Sequence, residues 1–129
     1  MRSRPYRLLL VAVAAALSIS SAAVAAGGLS GTFQTTIKSP AQLKGTWVLV
    51  LAKGGAYTVR LNGEPIARGK YSTTATTITL SNERGSGCSG AGTYAWKKSG
   101  KVVTFVRKRE YPSCQARALV LGHRFTQVR

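Results

Sequence analysis

From Lys44 to the C-terminus the chain repeats one pattern: a short run of alternating apolar and polar residues, then a turn signal. Lys44–Ala52 carries Trp47, Leu49 and Leu51 on one face, and Lys53-Gly54-Gly55 ends it. Tyr57, Val59 and Leu61 mark the second run. Asn62-Gly63 follows, a pair in which both residues tolerate positive φ and which is the strongest hairpin signal in the chain. Ala67, Gly69 and Tyr71 mark the third run, with Pro65 tolerable at its start. Ile78 and Leu80 mark the fourth, Tyr94 and Trp96 the fifth, and Val103 and Phe105 the sixth. Arg117, Leu119 and Leu121 mark the seventh and Phe125 the eighth. Short, evenly spaced runs of period two imply an antiparallel sandwich or barrel. Beyond the first 26 residues no run of period 3.6 exceeds a turn, so helices are expected to be minor. The expected fold class is all-β, an antiparallel up-and-down barrel of about eight short strands.

The N-terminus reads as an address. Arg2, Arg4 and Arg7 precede an apolar stretch from Leu8 to Leu17, and Ala22-Ala-Val-Ala-Ala26 supplies a small-residue cleavage site. The apolar stretch is shorter than the ~20 residues of a membrane span. Residues 1–26 are therefore expected to be a signal peptide, and the protein to be secreted or held in a cell envelope. Residues 27–43 read as a leader containing a short strand, with Phe33, Thr35 and Ile37 on one face, and a helical turn after Ser39-Pro40. Residues 44–129 read as one barrel domain.

The chain carries 19 Lys and Arg against three acidic residues, Glu64, Glu83 and Glu110, for a formal charge of +16. Such an imbalance favours anionic surroundings, an envelope polymer or a lipid surface, or else serves only to keep the protein soluble. It disfavours nucleic acid as the partner, because the aromatic residues share the parity of the inward apolar ones and are not free to stack on bases. No sequence signal bears on oligomeric state.

Cys88 and Cys114 are the only cysteines, and in an exported chain such a pair is expected to form a disulfide. Gly85-Ser86-Gly87-Cys88-Ser89-Gly90 is not a nucleophile elbow, since neither serine has glycine two residues away on both sides. It reads as a turn that lets Cys88 reach Cys114. His123, the single histidine, has no carboxylate-rich neighbourhood and reads as a turn residue. No catalytic residue, metal ligand set or cofactor is expected.

Gly45-Thr46-Trp47 at the head of the first long strand resembles the lipocalins and fatty-acid-binding proteins, the calycin superfamily. The resemblance implies that Trp47 plugs one end of the barrel and that an Arg from late in the chain lies across its ring. Strand counting selects Arg117, because Trp47, both cysteines and the start of the seventh run all fall at the same, lower end. Gly45, Trp47 and Arg117 are thus the expected plug. The opposite, upper end is the expected ligand mouth, rimmed by Lys53, Lys97, Lys98, Lys101, His123 and Arg124. The expected interior comprises Leu49, Tyr57, Val59, Tyr71, Ile78, Tyr94, Trp96, Phe105, Leu119 and Phe125. The expected function is non-enzymatic binding of a small apolar or anionic amphiphilic molecule. The alternative is a basic structural or interaction protein of the envelope. A calycin-type isomerase or cyclase ranks third.

Overall fold

The computed structural model describes residues 28–129, so the signal peptide expected over residues 1–26 lies outside the described residues. Eight strands form one closed antiparallel barrel in sequence order. They are β1 (Gly31–Ile37), β2 (Gly45–Leu51), β3 (Ala56–Leu61), β4 (Glu64–Thr73), β5 (Thr77–Arg84), β6 (Gly92–Ser99), β7 (Val102–Arg109) and β8 (Phe125–Gln127). A 3-10 turn, Ala41–Leu43, joins β1 to β2. A second, Pro112–Cys114, leads into the helix α1, Gln115–Leu121. Among the described residues no helix is long and apolar enough to cross a membrane.

The barrel is read here with β2 running from its lower to its upper end. Alternation sets the core: Trp47, Leu49 and Leu51 on β2, Ile78 and Leu80 on β5, and Val103 and Phe105 on β7 are all buried. Phe105 and Phe125 meet edge to face at 5.8 Å, an arrangement that adds to the gain from burial alone. Asn62 and Gly63 take φ of 51° and 87°, the geometry that a two-residue hairpin matched to strand twist requires.

Two stretches differ from their sequence reading. Gly31–Ile37 is not a leader lying along the barrel but one of its staves. It pairs with β2 over its whole length and closes the barrel on β8 through Phe33 and Gln34. Arg117–Leu121 is not a strand but the body of α1. The run Gln-Ala-Arg-Ala-Leu is built of strong helix formers. Arg117, Val120 and Leu121 fall on one face at helical spacing, while Leu119, expected inside, is 56% exposed. Two turns are too few to separate a period of 3.6 from a period of 2. The strand number survives because β1 supplies the stave that α1 does not.

With α1 in place of a strand, β8 runs upward and ends beside the β6–β7 turn, where Gln127 N–H donates to Lys101 O at 2.6 Å. His123 and Arg124 therefore stand at the lower start of β8, not on the upper rim. The upper end is also not a mouth. Leu29, just before β1, is buried in the core, and its N–H donates to Thr73 Oγ1 at the upper end of β4. The chain crosses the opening there and closes it.

Candidate functional site

The space that the fold leaves is at the lower end. A cavity of about 110 Å³ lies inside the barrel, walled by Trp47, Leu49, Val59, Leu80 and Phe125. Helix α1 covers it with Val120 and Leu121, and the Cys88–Cys114 disulfide lies beside them. The disulfide pins the glycine-rich loop to the start of α1, and so fixes the cover to the barrel.

Gly45 and Trp47 open β2 beside this space. Gly45 has φ of 142°, and a Cβ there would meet Leu61 Cδ1 at 2.7 Å, so only glycine fits. Trp47 is buried and its Nε1–H donates to Leu43 O at 2.7 Å. The indole thus fastens the 3-10 turn to the barrel's lower edge.

Arg117 does reach the same end and turns inward, but among the described residues no cation lies over the Trp47 ring. Its partners are carboxyl groups. Nε and Nη2 clasp Glu110 at 2.8 and 2.6 Å, Nη2 also donates to Gly90 O at 2.9 Å, and Nη1 lies 3.5 Å from Glu83. The three side chains are 6%, 0% and 4% exposed for Arg117, Glu110 and Glu83. Tyr94 Oη donates to Glu110, Tyr57 Oη donates to Glu83 at 2.5 Å, and Ser86 Oγ donates to the other Glu83 oxygen. A buried charge persists only when paired and hydrogen-bonded, and each member of this cluster is.

Both carboxyl groups enter the barrel through a break in alternation. On β5, Ile78 and Leu80 point inward, so Glu83 would point out. The β4–β5 register shifts between Arg68 and Lys70, setting Asn82 and Glu83 opposite Gly69. Asn82 has φ of 51°. On β7, Val103 and Phe105 point inward, so Glu110 too would point out. The β6–β7 register shifts opposite Thr93 and Tyr94, leaving Lys108 as the extra residue. Each shift is a β-bulge, which re-aims the side chains that follow it. Gly92 completes the site, since a Cβ there would run into the Glu110 carboxylate.

The cluster moves its members' titration in consistent directions. Burial alone would raise the Glu110 carboxyl, but hydrogen bonds from Arg117, Tyr94 and the Tyr111 N–H prevail and hold it below the usual carboxylate range. Burial raises the Tyr57 and Tyr94 hydroxyls, and their bonds to Glu83 and Glu110 raise them further. Burial would lower the Arg117 guanidinium, but Glu110 outweighs it and secures the charged form.

The other expected residues are dispersed. Leu49, Tyr57, Ile78, Tyr94, Phe105 and Phe125 are buried in the core, while Val59, Tyr71 and Trp96 pack against it half-buried. Lys53, Lys97, Lys98 and Lys101 are exposed near the upper turns and none lines the cavity. His123 Nδ1 lies 3.1 Å from Leu119 O at the end of α1. Among the described residues no group of three or more His, Cys, Asp or Glu is arranged to hold a metal ion. Glu83, Ser86 and Glu110 were not expected at the site. Their signal was faint: acidic residues are scarce here, and Asn82, a residue that tolerates positive φ, precedes one of them. Comparison with protein-family models, curated proteins and solved structures finds no match.

Proposed function

We propose that the chain is an exported, non-enzymatic binding protein, a calycin-like barrel that takes one small apolar molecule in its lower cavity. The observation that carries this reading is the cavity itself, lined mainly by apolar side chains, with Glu83, Ser86 and Arg117 at its edge. Its volume of about 110 Å³ is below the ~300–1,000 Å³ of pockets for drug-sized ligands. It is near the ~150 Å³ of engineered apolar cavities that take benzene or xenon. A compact molecule suits it and an extended acyl chain does not. The cluster at its edge sets two carboxyl groups against one guanidinium, so no spare cation awaits an acidic head group. The same saturation supports a non-enzymatic role, because both oxygens of Glu83 and of Glu110 already accept hydrogen bonds and neither is free to act as a base.

Native mass spectrometry of the secreted protein, followed by methyl NMR during titration with benzene, tests the proposal. A co-purified small molecule, or saturable shifts at Val120 and Leu80 that Ala67→Leu removes, is the expected result. Ala67 is buried and lines the cavity, so the larger side chain fills it. The absence of both signals, or shifts that Ala67→Leu leaves unchanged, would overturn it.

A further inference from the structure

We propose that the outer face of β3, β4 and β5 is a binding site for a linear phosphate-bearing polyanion, centred on Arg68 and Arg84. The two arginines are direct cross-strand partners. Like charges in that position weaken a sheet, and no acid relieves them. Among the described residues Arg117 is the one cation in an ion pair, and Glu64, at the lower β3–β4 turn, is the sole acid outside its cluster. Lys70 lies two residues from Arg68 on the same face, Thr58 is Arg68's partner on β3, and Arg60 follows two residues later. All four cations are exposed.

The bulge that turns Glu83 inward also shapes this face. It leaves a recess of about 520 Å³ whose walls include Arg68, Lys70 and Arg84, with Tyr57 and Glu83 also lining it. The Glu83 carboxyl opposes any anion that sinks deep. Favourable positions therefore run along the rim, where guanidinium forks can clasp phosphate oxygens in pairs. A chain of successive phosphates can occupy several such positions, whereas a single phosphate occupies one. A polymer also fits better than a bilayer. Further exposed cations stand at the upper end, at Lys53 and Lys101, and at the lower end, at Lys108 and Arg109. A flexible chain can follow them around a barrel that a plane touches on one side only.

The test is titration of the whole secreted protein with inorganic polyphosphate at several salt concentrations. Arg68→Ala/Arg84→Ala is expected to weaken binding about tenfold or more and to flatten the log–log salt slope by about 1.4, two contacts' worth for a single-stranded polyanion. Lys38→Ala/Lys44→Ala, an equal loss of charge at the other side, is expected to change affinity less than about threefold. Arg84→Glu is expected to abolish binding while raising Tm at low salt, since it converts cross-strand repulsion into attraction. Ala67→Leu is expected to leave polyphosphate binding unchanged, so the proposal stands apart from the cavity reading. Equal weakening by both double variants would reduce the face to general surface charge and overturn it. So would absence of binding, inorganic phosphate binding as tightly as the polymer, or phosphatidylglycerol vesicles binding more tightly than either.

Discussion

Arg117 is the residue on which the lower end depends. It alone balances the two buried carboxyl groups, and it brings α1, the glycine-rich loop and the end of β7 to one point. Replacing it with Met keeps much of its length and strands Glu110 without a cation. Urea unfolding is expected to show a loss of about 3–5 kcal/mol, as for one partner removed from a buried pair. The pH dependence follows from the two directions of shift. Glu110 is held below its ordinary value, so its contribution is present at neutral pH and is lost as pH falls through its lowered folded-state value. Tyr57 and Tyr94 are raised, so their contribution is intact below about pH 10 and is lost as pH rises beyond it. Thermal melts across pH are expected to show both flanks. Glu110→Gln should flatten the acid flank, and Tyr57→Phe with Tyr94→Phe the alkaline one.

At the level of elements, the strands and hairpins were legible because alternation is a long-range record of which face is buried. Eight runs and their turns give enough repeats to read. The helix and the bulges were not legible for the opposite reason. Helix α1 spans two turns, in which Arg117, Leu119 and Leu121 fit a period of two as well as Arg117, Val120 and Leu121 fit 3.6, until Leu119 is seen to face solvent. A bulge adds a single residue, and its whole effect is to reverse the parity on which the reading depends. Glu83 and Glu110 therefore read as loop residues of a basic surface. Asn82 is the element-scale test. Asn82→Gly should leave stability within a few tenths of a kcal/mol, whereas Asn82→Val should cost about 1–2 kcal/mol, since a branched side chain resists positive φ. The disulfide was legible from composition alone. The native protein should titrate no free thiol, and reduction should lower its stability by about 2–5 kcal/mol.

For the whole molecule, the lower end was located correctly from Trp47, the cysteines and Arg117, but its character was inverted. It was expected to be the plug, and it holds the cavity. The upper end was expected to be the mouth, and Leu29 closes it. The inversion has a physical source. A helix covers a barrel end as a separate layer and leaves space beneath it, whereas a strand continuing the wall would have left the end to side chains. Filling the interior through Gly69→Leu would accordingly miss the cavity, since a Cβ at Gly69 meets the Tyr57 ring at 2.8 Å and Ser81 O at 2.6 Å. The most direct measurement is a crystal structure of the protein pressurised with xenon, an atom that reports dry apolar space. A xenon peak is expected inside the barrel between Leu80, Phe125 and Val120, lost in Ala67→Leu. A barrel with no internal xenon, or with xenon only at the upper end beneath Leu29, would contradict it.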